Sequence, residues 1–98
     1  MQVEALPGAK IQSLCLSGNG LGPKGGVAVA ASVEANKHLL KLDLCCNAIG
    51  EGALALAKMV GVNGTLTSLD LRSNEMAPYA ESFREALSGR TKELALRL

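Results

Sequence analysis

The sequence predicts an α/β solenoid of about three to three and a half repeats, with a short parallel sheet on its concave side and helices on its convex side. Two observations carry this. The spacing Leu39, Leu42, Leu44, Asn47, Ile49 recurs upstream as Ile11, Leu14, Leu16, Asn19, Leu21 and downstream as Leu66, Leu69, Leu71, Asn74, Met76, with the asparagines 28 and then 27 positions apart. Within each unit the pattern also switches from alternation, as in Ser13-Leu14-Cys15-Leu16-Ser17, to apolar residues four apart, as in Val29 and Val33. That is the change from the period of a strand to the period of a helix.

The elements follow in chain order within one domain spanning residues 1–98. Residues 1–10 carry Val3 and Leu6 before Pro7-Gly8 and read as an N-terminal cap or worn half-repeat that ends at a turn signal. The repeat over 11–38 has a strand at 13–17, a turn at Ser17-Gly18-Asn19-Gly20 and a helix from about 25 to 35. The repeat over 39–65 has a strand at 41–45, a turn at Cys46-Asn47 and a helix over 51–60 that turns Leu56 and Val60 inward. In the repeat over 66–92 a strand at 68–72 precedes a helix that Pro78 starts at its first turn and Gly89 stops, with Phe83 and Leu87 as the buried pair. Residues 93–98 alternate again as a terminal strand, although Arg90 and Glu93 stand where the pattern expects Asn and Leu.

A hydrophobic share of 48% with only 2% aromatic residues means a core built from Leu, Val and Ala. Ten Lys and Arg against nine Asp and Glu leave a net charge of +1, which supplies no broad field to attract phosphate backbones, so nucleic acid is not an expected partner. No stretch approaches the roughly 18 apolar residues of a membrane span, and the N-terminus lacks a basic segment ahead of an apolar run. Cys15, Cys45 and Cys46 are odd in number and form neither a disulfide framework nor a metal spacing; they read as small packing residues in a cytoplasmic or other reducing intracellular compartment.

Parallel strands about 4.8 Å apart carry their outward side chains in rows. The first row is Ser13, Lys41, Ser68, Ala95; the second is Cys15, Asp43, Asp70, Arg97; the third is Ser17, Cys45, Arg72. Asn19, Asn47 and Asn74 fall at the turn after each strand, where an amide can serve donors and acceptors of adjacent repeats as a structural ladder.

These residues resemble the ribonuclease-inhibitor type of leucine-rich repeat, whose pattern of roughly 28 residues runs LxxLxLxxNxL, then Gly-x-x-Gly, then a helix. Leu21-Gly22-Pro23-Lys24-Gly25 with Val29-Ala30, Val33, Asn36 and Leu39 follows that pattern, as does Ile49-Gly50 with Leu56-Ala57, Val60, Asn63 and Leu66. The resemblance covers residues 11–98 and implies that proteins dock on the concave face. Here that face presents Lys41, Asp43, Cys45, Ser68, Asp70, Arg72 and Arg97.

Chemistry has little to build on. Asp43 and Asp70 would lie side by side as acid and base or as metal ligands, but Asp between two leucines is routine for this repeat, Arg72 and Arg97 stand ready to neutralise the pair, and His38, the single histidine, lies in a connection elsewhere. Gly18-Asn19-Gly20-Leu21-Gly22 lacks the Lys-Ser/Thr of a phosphate loop. No catalytic residue, cofactor or metal is therefore expected, and the expected function is a non-catalytic protein-protein interaction module, a scaffold or small structural subunit within a larger complex. Leu94, Leu96 and Leu98, on a strand with an unpaired edge, add to that expectation. Two alternatives stand beside it. The Leu-Gly-x-x-Gly units also look like those of GTPase-activating regulators of the Ran type, and the pattern also suits a fragment of a nucleotide-binding immune receptor's repeat domain.

Overall fold

A computed structural model, which describes residues 8–98, sets the repeats side by side. The strands β1 (Ser13–Cys15), β2 (Lys41–Asp43), β3 (Ser68–Asp70) and β4 (Ala95–Arg97) form one parallel sheet in chain order. Between them run the helices α1 (Gly22–Glu34), α2 (Ala53–Val62) and α3 (Ala80–Ser88), with single 3-10 turns at Gly50–Gly52 and Ala77–Tyr79 leading into α2 and α3. The cap expected around Val3 and Leu6 lies outside the described residues, but Ala9 packs on the edge of the core.

The element boundaries differ from the sequence expectation in two ways. Each regular strand is three residues long, and after β1, β2 and β3 the chain bends into the asparagine turn. Backbone bonds nevertheless continue past the strand ends, from the Leu16 N–H to the Asp43 carbonyl at 2.8 Å and from the Cys46 N–H to the Arg72 carbonyl at 3.1 Å. The helices also shift. α1 begins at Gly22 rather than near Gly25, since Pro23 in its first turn is already preset for helix and has no N–H to lose. α2 runs two residues beyond Val60, to where Asn63 turns extended and returns its N–H to the Met59 carbonyl at 2.8 Å. Pro78 sits within the 3-10 turn, and α3 proper starts two residues later.

Burial follows stacking. Leu42 and Leu69, which pair in register between β1 and β4, are buried, whereas the equivalent Leu14 and Leu96 at the two ends are only half-buried. The same gradient separates Leu44 and Leu71 from Leu16, and Ile49 and Met76 from Leu21. A repeat thus completes its core only when both flanks are covered, as a quasi-one-dimensional array requires. Phe83, fully buried, fills in α3 the place that the aliphatic Val29 and Leu56 fill in α1 and α2, while its expected companion Leu87 is half-buried.

Two ladders of side-chain hydrogen bonds lock the repeats together. At the inner turn, Asn47 Oδ1 accepts the N–H groups of Asn19 at 2.8 Å and Leu21 at 3.3 Å, and its Nδ2 donates to the carbonyls of Leu16, Leu44 and Cys45. Asn74 repeats the pattern on Asn47 and Ile49. Asn19 is exposed at its end of the array, and among the described residues its side chain bonds only its own turn, through Leu16 and Ser17. The second ladder runs along the helix ends. Asn63 Nδ2 donates to the carbonyls of Val33 at 2.7 Å and Asn36 at 3.0 Å. One repeat on, Arg90 reaches the carbonyls of Val60 and Asn63 in the same manner, and also that of Leu66. The residue that looked like a lapse in the repeat therefore performs the donor half of the amide's task with a guanidinium, which has donors to spare but no acceptor for the N–H groups that Asn63 Oδ1 takes from Thr65 and Leu66.

The inner turn also demands unusual backbone. Cys46, Ala48, Ser73 and Glu75 adopt positive φ angles, at the places that Gly18 and Gly20 occupy in the first repeat. The glycine-rich run there is thus accounted for by backbone conformation, which glycine adopts without penalty.

Candidate functional site

The exposed side of the sheet carries the candidate site. Strand register places Ser13, Lys41, Ser68 and Ala95 in one row and Cys15, Asp43, Asp70 and Arg97 in the next. Cys45 and Arg72 follow just beyond the strand ends, carried by the backbone bonds that continue there. Residues of the first two rows line a shallow depression of about 320 Å³. Strand alternation explains the arrangement, since leucines between these positions point into the core and the polar residues point away from it.

The carboxylates are held from within the protein. Asp70 takes a forked contact from Arg72, with Nη2 at 2.8 Å from one oxygen and Nε at 3.0 Å from the other, and also accepts the Arg72 N–H. The Arg72 guanidinium beside it holds the Asp70 carboxyl well below the usual carboxylate range. Asp43 accepts the Cys45 N–H at 3.0 Å, and the Cys15 thiol lies 3.7 Å from its other oxygen. The hydrogen bond from the Cys45 backbone, followed by that of the Cys45 thiol, lowers its pKa.

Cys45 is the member of this cluster that sequence reasoning did not connect to the aspartates. Its Sγ and the carboxylate oxygens of Asp43 and Asp70 all lie within 4.8 Å of one another, which makes them the described residues whose donor atoms stand close enough to share a metal ion. Only the curl of the chain after β2 brings the thiol back over the row; the sequence signal was its place two residues beyond Asp43. Burial, reinforced by hydrogen bonds to Asp70 and Asp43, pushes the Cys45 thiol up to about 12. With its pKa so raised, the thiol is protonated at neutral pH and a poor nucleophile.

Of the two arginines expected to neutralise the aspartates, Arg72 does so. Arg97 is in register with Asp70 but makes no ion pair among the described residues, nor does Lys41. His38 lies exposed in the connection before Leu39, away from the sheet row, and its backbone N–H donates to Asn36 Oδ1 at 2.7 Å. All three cysteines are free. A larger and more apolar groove, about 440 Å³, lies on the convex side between α1 and the start of α2, where Val27 and Leu54 are exposed at equivalent positions. Among the described residues no helix is long and apolar enough to cross a membrane.

The comparisons bear on the architecture. A search of curated proteins gave no match. Among solved structures, the chain is similar to one described as leiomodin-1 actin-binding site 2, with a TM-score of 0.80 and 23% identity, over 97% of this chain and 58% of that one. The chain thus spans a little over half the length of that structure, and at this identity the likeness concerns the fold. A family model described as Leucine Rich repeat matches residues 9–30, 35–57 and 62–78. Those three segments take in most of the chain and fall in step with the three strand-turn-helix units seen in the structure, so the chain belongs to the leucine-rich repeat family.

Proposed function

We propose that this chain is a non-catalytic interaction module of ribonuclease-inhibitor-type repeats, docking a protein on its concave strand face as a scaffold or structural subunit of a larger assembly. The observation that carries the reading is the in-register display of Lys41, Ser68, Asp43, Asp70 and Arg97 on the exposed side of a sheet whose other side is core. Backbone held in paired strands needs no reordering on binding, which favours recognition by such a surface. The similarity to a repeat domain named for actin binding supports docking of a protein, and actin is the first defined partner to assay. Three free thiols suit a reducing intracellular compartment.

The test compares wild type with Asp43→Lys combined with Arg72→Glu, and separately with Ser68→Arg, which blocks the depression without removing a carboxylate. Each is used for affinity capture with mass spectrometry, with circular dichroism as the check on folding. Both variants are expected to lose the partners that wild type captures while keeping its spectrum; full retention would move the site to the helices or an end. A regulator of the Ran type would instead accelerate GTP hydrolysis by its GTPase, which a turnover assay reads directly.

A further inference from the structure

The concave face is mixed in charge when read residue by residue, but its charges are not equally available. Asp70 has both oxygens taken by Arg72, and Asp43 is held by the Cys45 N–H and the Cys15 thiol. Lys41 and Arg97 line the same depression, are exposed, and make no ion pair or side-chain hydrogen bond among the described residues. Arg97, in register with Asp70, is not drawn into the Arg72 fork. Two unpaired cations thus stand at the two sides of the depression against one carboxylate without a cationic partner, Asp43, and Ser13 and Ser68 flank Lys41 in register as further hydrogen-bond donors.

Resting on the concave-docking reading above, we infer that this face takes an acidic peptide segment of its partner, whose carboxylates pair with Lys41 and Arg97 across the depression. Those two residues stand two strands and two positions apart, about 12 Å between Cα atoms at ~4.8 Å per strand and ~3.3 Å per residue. An extended peptide covers that distance in three to four residues, so carboxylates at that separation reach both cations at once. The net charge of the whole chain is only +1, so recognition comes from local pairing rather than from a long-range field.

The probe is a fluorescein-labelled ten-residue peptide of Gly, Ser and Leu carrying Glu at positions 3 and 7, measured by fluorescence anisotropy against the intact chain. Peptides with Gln or Lys at those positions and an oligonucleotide of equal charge serve as comparisons, and amide chemical shifts locate the contact. The Glu peptide is expected to bind alone of the four, to perturb amides of β2 to β4, and to weaken as salt rises. Lys41→Glu and Arg97→Glu should each weaken it about fivefold or more and together abolish it, with circular dichroism unchanged. Binding of the Lys peptide to the same strands would overturn the acidic assignment while leaving concave docking intact, and equal binding of the oligonucleotide would overturn the peptide assignment. Shifts confined to the helices would overturn both readings, and no binding of the Glu peptide would overturn this inference alone if Ser68→Arg still blocks partner capture.

Discussion

Arg90 donates from Nη1 to the carbonyl of Val60 at 2.9 Å, closing the end of α2 from the following repeat. The same bond runs from Asn63 to Val33 one repeat earlier. Removing it leaves carbonyls at the end of α2 without their partner. Arg90→Ala is expected to destabilise the chain by about 2 kcal/mol, and Arg90→Asn to recover a good part of that, both read as shifts in urea midpoint. Equal melts for Arg90→Ala and wild type would show that the guanidinium is dispensable.

The inner ladder predicts an inequality between chemically identical residues. Asn47 is buried and serves groups in two repeats, whereas Asn19 is exposed and holds only its own turn with its Nδ2. Asn47→Ala should cost about 3 kcal/mol and Asn19→Ala about 1 or less. Matching urea curves for the two variants would mean that the ladder adds nothing to an isolated asparagine turn.

Ala48 holds a φ of 52° at the place where the first repeat has Gly20. A left-handed conformation costs a non-glycine residue roughly 1 to 2 kcal/mol, against a smaller entropic penalty for glycine in the unfolded chain. Ala48→Gly should therefore stabilise by about 0.5 to 1 kcal/mol. A loss of stability in thermal or urea melts would show that the turn tolerates alanine without strain.

The Cys45 thiol, pushed up to about 12 by burial and by Asp70 and Asp43, stays protonated at physiological pH. At pH ~8 only about one molecule in ten thousand carries the thiolate, the form that alkylating reagents attack. Iodoacetamide should label exposed Cys46 well before Cys45, as read by peptide mass spectrometry. Removing the carboxylate charges in Asp43→Asn with Asp70→Asn lowers the Cys45 pKa toward the ordinary thiol value and should speed its labelling about tenfold. Equal labelling of Cys45 and Cys46 in wild type would contradict the bridging geometry.

Much of the architecture was legible in the spacing of a few residues. Leu42, Leu69 and their neighbours could be placed inside, and the rows from Ser13 to Ala95 and from Cys15 to Arg97 could be written in register, because strand alternation and a repeat of constant length leave few alternatives. Boundaries were less legible. Where α1 begins depends on how Pro23 and the turn before it share the backbone, and the length of each regular strand depends on how soon the asparagine bends the chain.

The sequence by itself determined the class of fold, the inner and outer side of each strand and the family, because periodicity reports which residues can be buried together. Tertiary structure alone decided which charges on the concave face are free. Arg72 and Arg97 both stand ready in the sequence to neutralise the aspartates, yet the turn after β3 lets Arg72 fork onto Asp70 and leaves Arg97 without a partner among the described residues. It also decided that Cys45 joins the aspartates and that Arg90 stands in for an asparagine. The Arg72 fork depends on how its own turn bends. The Arg90 contacts and the approach of Cys45 to Asp70 depend on reach between repeats, with Arg90 bonding carbonyls 24 to 30 residues away, a distance relation that spacing along one strand does not encode.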